Sequence, residues 1–149
     1  MKYLLDTNIL LIYLRDSDIA EAIDIQLDPL GIDNVPVISV VTVGEIHSLA
    51  IRNRWGKRRM QELDELLSLF VIADINIEEV IKLYAEIDAF SQGLHPFKPL
   101  GSSARNMGKN DLWIAATAAA ADLRLITTDK DFNHLKDVFV DLVEIELFN

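Results

Sequence analysis

The stretch KYLLDTNILLIYL, residues 2–14, decides how the chain is read. Tyr3, Leu4 and Leu5 form an apolar run closed by Asp6, the mark of a short buried strand. Directly after it the apolar spacing changes to Ile9, Leu10, Tyr13 and Leu14, one face of a helix. A strand that hands over at once to a helix is the first half of a crossover unit.

The same alternation continues outward from there. Residues 18–28 read as a helix stopping at Asp28-Pro29, and VPVIS (35–39) as a strand. Residues 42–54 form a helix with the stripe Val43, Ile46, Leu49 and Ala50. Gly56 separates it from a helix over 57–69, in which Met60, Leu63, Leu66 and Leu67 face inward. FVIADI (70–75) is rich in strand formers, and 77–91 returns to helical spacing through Val80, Ile81, Tyr84 and Ile87. A loop spans 92–109. The helix over 111–122 is apolar on nearly every face, so it is buried or covered by a partner. Strands over 123–127 and 138–146 complete the chain. With no repeat and no linker, residues 1–149 read as one α/β domain with a central, mostly parallel sheet.

The composition narrows the class. The 149 residues include 24 acidic and 14 basic side chains, a net charge of -10, half apolar residues and no cysteine. Disorder is excluded by the apolar content. The missing cysteines exclude a disulfide framework, a thiolate zinc site and a cysteine nucleophile. No apolar run approaches the roughly 20 residues of a membrane helix, and no signal pattern opens the chain, so a soluble cytoplasmic protein is expected.

Net acidity argues against a nucleic-acid partner, which wants a basic surface. The distribution weakens that argument. Residues 52–59 (RNRWGKRR) hold five basic side chains and no acid, and residues 89–110 hold Lys98, Arg105 and Lys109, again with no acid. Eight of the 14 basic residues therefore lie in two acid-free segments.

Ligands of such folds bind beyond the carboxyl ends of the strands. Asp6 ends the first strand, Asp129 follows 123–127, and Asp111 opens the apolar helix. Each could merely cap a helix or make a turn. Glu45 sits on the margin of its helix's apolar stripe, where a carboxylate needs a partner, either a neighbouring arginine or a bound cation. If the four acids converge, their repulsion calls for a cation, and oxygen-only ligands favour Mg²⁺ or Mn²⁺ over zinc. Other motifs fail. Asp129, Asp131 and Asn133 begin like a calcium loop, but its sixth position is His134 and its twelfth Val140. There is no G-x-G-x-x-G, Walker loop or Gly-x-Ser-x-Gly elbow. His47, His95 and His134 lack zinc spacing and read as surface or packing residues.

Asp6-Thr7-Asn8, SVVTVGEI (39–46), NDLWIAATA (110–118) and LITTDKDF (125–132), in this order, resemble the successive motifs of PIN-domain ribonucleases. Among those the chain is most similar to VapC-type toxins of bacterial toxin–antitoxin pairs, from Lys2 to about Phe148. The resemblance implies an Mg²⁺- or Mn²⁺-dependent endoribonuclease in which Asp6, Glu45, Asp111 and Asp129 form the acidic quartet. Asp6 and Asp111 would be the most direct metal ligands, with Glu45 and Asp129 completing the set and orienting water. Thr7, Asn8 and Thr127 or Thr128 would support them by hydrogen bonds. Asp131 is either a fifth acid or the N-cap of the 131–135 turn.

The resemblance also implies an RNA substrate, a small antitoxin that blocks the site, and a homodimer formed through helices, for which the 42–54 and 57–69 pair is a candidate surface. The loop over 93–109 is longer than the common family form. It is expected to grip the RNA backbone through Lys98, Arg105 and Lys109, the alternative being a disordered insertion. Arg52, seven residues after Glu45, would face either a phosphate or an antitoxin segment. Two other functions compete. A phosphohydrolase of the haloacid-dehalogenase type would want a second aspartate where Asn8 stands, and a metal-free PIN-like scaffold would not need all four acids.

Overall fold

Tyr3 and Leu5 point to one side of the first strand and Leu4 to the other, and all three are buried. An apolar residue on both faces means that the strand is covered on both sides. In the computed structural model, which describes residues 1–147, it is the middle of a five-stranded, all-parallel sheet in the order β3-β2-β1-β4-β5. Phe148 and Asn149, where the one-domain reading and the family resemblance end, lie outside the described residues. The strands are β1 (Lys2–Leu5), β2 (Val35–Ser39), β3 (Val71–Ala73), β4 (Arg124–Thr127) and β5 (Leu142–Glu144).

Two cores follow from the pleat. Tyr3, Leu5, Ile38 and Ile126 pack against α1 (Thr7–Arg15), α2 (Ser17–Gln26), α3 (Val40–Arg52) and α4 (Lys57–Leu67). Leu4, Val37, Leu125 and Leu142 pack against α5 (Glu78–Ser91), α6 (Lys109–Ala120) and the 3-10 helix Lys130–Leu135. The register sets Leu4 beside Val37 and Leu125, and Leu125 beside Leu142, so one apolar row crosses the sheet. The alanines of α6 let it lie close to the sheet and α5, and Trp113 stacks on Tyr84 at 4.2 Å. Among the described residues no helix is long and apolar enough to cross a membrane.

The topology fixes where a site can form. From β1 the chain steps outward through β2 to β3 with α1–α4 on one face, then returns through α5 and α6 on the other face to β4. The direction of winding thus reverses between β1 and β4, where a crevice opens at the carboxyl ends. The N–H of Asp6 donates to the carbonyl of Ile126 at 3.0 Å across this point.

Three elements differ from expectation. The last strand is Leu142–Glu144, not 138–146. The N–H groups of Val138, Phe139 and Val140 all donate to the Leu135 carbonyl, and Asp137 turns the chain at φ 61°, so the apolar alternation there belongs to a turn. Between α3 and α4 the reversal falls on Arg54, at φ 51°, whereas Gly56 is the N-cap residue of α4 with φ -75°. Helix α6 begins at Lys109, two residues before Asp111, with Gly108 at its N-cap.

Candidate active site

Asp6 leaves β1 at the reversal point and is 4 % exposed. Its Oδ1 accepts from the N–H of Thr7 at 2.7 Å, which caps α1, and its Oδ2 accepts from the Thr127 hydroxyl at 2.8 Å. Both oxygens are therefore held, and one lone pair of each remains to face the crevice. Burial, and then the charges of Glu45 and Asp129, raise this carboxyl above its usual range, against the opposing pull of the Thr127 and Thr7 bonds. The fully buried Thr127 hydroxyl in turn accepts from the N–H of Asp129 at 3.0 Å. One hydroxyl thereby ties the end of β1 to the chain leaving β4. Of the two threonines proposed for this support, Thr127 makes the bonds; Thr128 makes no side-chain hydrogen bond among the described residues.

Glu45 is half-buried on α3. The arginine partner considered for it is not found: no ion pair involves Glu45 among the described residues. Its Oε1 instead accepts from the Thr7 hydroxyl at 2.9 Å. Thr7 Oγ1 also lies 3.1 Å from Thr42 Oγ1, and a hydroxyl has a single hydrogen. Thr7 therefore donates to the carboxylate and Thr42 donates to Thr7. Thr42, fully buried and one turn before Glu45, was not singled out from the sequence; its position on the Glu45 side of the helix was the available signal.

Asp111 lies in the first turn of α6 but makes no capping bond, so capping does not account for it. Its pKa is pushed up to about 7 by burial and by the charges of Asp6, Asp129, Glu45 and Asp131. The charges of Asp6, Asp129, Glu45 and Asp131 all reach Asp111, but among the described residues the carboxylates close enough to share an ion are Asp111, Asp129 and Asp131, without Asp6 and Glu45. Oxygens of Asp111, Asp129 and Asp131 lie within 4.8 Å of one another. The N-cap assignment of Asp131 is corrected: the 3-10 helix is capped by Asp129, which accepts from the Asp131 N–H at 2.9 Å. That bond leaves the exposed Asp131 carboxylate free to turn toward Asp111.

The donor set is made of carboxylates alone, which suits a hard divalent cation. The fit is supported by the grouping of Asp111, Asp129 and Asp131, whose mutual repulsion a bound cation would offset.

Basic groups surround this centre unequally. Arg105 reaches the Lys130 carbonyl at 3.5 Å, and its N–H donates to the Ser91 carbonyl at 2.7 Å. The loop is pinned further by Met107, buried against the Ser91 hydroxyl, and by His95 Nδ1, which accepts from the N–H groups of Phe97 and Lys98. Ser91 also bonds His134 Nε2 at 2.7 Å; burial, then the charge of Arg105, lower the pKa of this histidine. These bonds strap the segment against α5 and the 3-10 helix. Lys109 starts α6 beside the acids, while Lys98 lies over the Phe139 ring at 4.8 Å and is engaged in packing the strap. Arg52 is exposed at the far end of a cleft that begins at Glu45, with Asn8 and Asn110 on its walls. Arg59 covers Trp55 at 4.9 Å and Arg58 pairs with Glu62 at 3.5 Å, so neither faces the acids.

A parallel α/β sheet with carboxylates gathered at its reversal point is an arrangement that could hold a divalent cation. Residues 3–138 match the PIN domain, and the chain belongs to that family. No curated protein sequence is a match. Solved structures similar to it include VapBC2 from Rickettsia felis bound to a promoter DNA fragment, with TM-score 0.75, 23% identity, and coverage of 97% of this chain and 98% of that one. VapBC-1 from nontypeable Haemophilus influenzae gives TM-score 0.70 and 25% identity over 97% and 98% of the two chains. FitAcB from Neisseria gonorrhoeae gives 0.69 and 26% over 95% and 96%.

Proposed function

We propose that this chain is the toxin of a VapBC-type pair and acts as an Mg²⁺- or Mn²⁺-dependent endoribonuclease. The observation that carries the proposal is the carboxylate group Asp111, Asp129 and Asp131, with oxygens within 4.8 Å of one another, and the charges of Asp6 and Glu45 that reach Asp111 beside it. The VapBC-1 and FitAcB structures, which match this chain in length and fold, support the toxin assignment.

In this reading Asp6 and Asp111 would hold the cation, with Asp129 and Glu45 completing the donors. Once bound there, a divalent ion supplies an activated water and offsets charge on the phosphoryl oxygens. Asp6 is gripped through both oxygens, so it is preorganised and needs no rearrangement when substrate arrives. The Thr42–Thr7–Glu45 chain fixes the Glu45 carboxylate, which orients the attacking water and accepts its proton. Arg105, Lys109 and Arg52 take neighbouring phosphates of the RNA, with Asn8 in support. A small antitoxin covers the site in the resting pair, a homodimer forms through helices, and the protein works in the cytoplasm.

The test is cleavage of RNA by the purified protein in Mg²⁺ or Mn²⁺, in EDTA, and after the metal is restored. Cleavage that stops in EDTA and returns on restoration supports the proposal. Metal-dependent release of phosphate from small phosphomonoesters without RNA cleavage would favour the phosphohydrolase, and inactivity on both would favour a binding scaffold.

A further inference from the structure

A cleft of about 610 Å³ runs along α3 from Glu45 to Arg52, roofed on one side by Asn8 and Asn110. On a chain with 24 acids and 14 bases, its lining contains a single acid, Glu45, and that one belongs to the catalytic centre. Apart from the Thr7 hydroxyl, which is engaged with Glu45, the other polar groups are the neutral side chains of Asn8, Ser48 and Asn110 and the cation of Arg52. All four are exposed, and none makes a side-chain hydrogen bond or ion pair among the described residues. Leu11 and Leu49 supply an apolar floor.

Gly44 lies between these groups in the interior of α3. Glycine weakens a helix interior relative to alanine, so a helical glycine without a packing reason calls for another. Packing gives none here, because a Cβ built on Gly44 would meet nothing within 4 Å. It would project into the cleft. Absence of a side chain there lets a ligand lie directly against the helix backbone, one residue from Glu45.

We infer that this cleft is the subsite for the nucleotide next to the scissile phosphate of single-stranded RNA. Gly44 admits its sugar–phosphate backbone to the helix, the amides of Asn8 and Asn110 face its base edge, and Arg52 takes the following phosphate. Seven residues of helix place Arg52 about 10 Å along the axis from Glu45, so the phosphate it meets is not the one being cut. The strand is single because Asp6 is buried at the crevice floor, and an unpaired strand can bend down to it with its bases splayed. This inference rests on the nuclease reading but depends on a different part of the surface.

The experiment uses Gly44→Ala and Gly44→Leu in the full chain, with Mn²⁺ binding, thermal stability and kcat/KM on a short single-stranded RNA measured together. It adds amide chemical shifts of the wild-type protein titrated with uridine or adenosine monophosphate, which cannot be cleaved internally. Both variants are expected to stay folded and to bind Mn²⁺ as the wild type does. Gly44→Leu should lose about 100-fold in kcat/KM, the cost of misplacing a substrate by about 1 Å, and Gly44→Ala a smaller factor. The mononucleotides should shift the amides of Asn8, Gly44, Ser48 and Arg52 in the wild type and not in Gly44→Leu. A folded Gly44→Leu that cleaves at the wild-type kcat/KM overturns the subsite and leaves the nuclease standing, the cleft then belonging to another occupant such as a partner polypeptide. Mononucleotide shifts at these amides without any RNA cleavage would instead overturn the nuclease and support the subsite. Absence of those shifts in the wild type overturns the subsite whatever the activity.

Discussion

Replacing Asp111 by asparagine should stabilise the metal-free protein at pH 8, and by less than half as much at pH 5, because the gain vanishes only below the unfolded value of 3.8. Burial and four neighbouring carboxylates push the Asp111 pKa up to about 7 from an ordinary 3.8. Between those values the folded protein holds a proton that the unfolded chain has released. Stability therefore falls as pH rises through this window, and the full penalty is present above about pH 7. The difference corresponds to about 4 kcal/mol against the charged form. Asp111 is partly exposed, and water screens roughly half of this, leaving about 2 kcal/mol. At an unfolding entropy of about 2.1 cal/mol/K per residue, that gain raises the Tm by about 6 °C.

Thermal unfolding in EDTA at the two pH values measures it. Adding Mg²⁺ at about 100 times its Kd should reverse the order, because the wild type then gains about 2.7 kcal/mol while the variant has lost a ligand. A variant less stable than the wild type at pH 8 in EDTA would refute the reasoning. So would an equal gain at both pH values, since the effect would then not come from the charge.

Thr127→Val keeps the shape but removes the donor to Asp6 and the acceptor of the Asp129 N–H. It should cost about 1–3 kcal/mol in denaturant titration and move the acid limb of the pH–rate profile upward, with Thr127→Ser restoring both. Arg105→Ala with Lys109→Ala should weaken RNA binding and flatten its salt dependence, whereas Lys98→Ala should leave both near wild type because Lys98 is engaged with Phe139; unchanged binding in the double variant would reject the strap as an RNA grip.

Much of this was legible in the sequence for a physical reason. A strand buried on both faces must be apolar throughout, and the change to helical spacing after Asp6 marks a crossover. These features alone put Asp6 and Asp129 at one edge of the sheet. What one-dimensional spacing does not carry is the partner of each group. Glu45 was open to an arginine, and the Thr7 hydroxyl holds it instead. Asp131 had the spacing of a cap, yet Asp129 took that bond first. The alternation over 138–146 matched a strand, but backbone bonds to Leu135 claimed its first half. Gly44 carried no signal at all, because an empty space beside a helix appears only when the neighbouring elements are in place. The charge of -10 likewise misleads when read as a total, since Asp111, Asp129 and Asp131 gather in one place and eight of the 14 basic residues lie in two acid-free segments.

The most direct measurement is RNA cleavage by Asp6→Asn beside the wild type, with Mn²⁺ binding followed by calorimetry on the same preparations. Loss of cleavage together with loss or strong weakening of Mn²⁺ binding, in a variant that unfolds as cooperatively as the wild type, is the predicted result. Cleavage by Asp6→Asn at the wild-type rate, or wild-type cleavage that persists in EDTA, would contradict a cation held by these carboxylates as the centre of the chemistry.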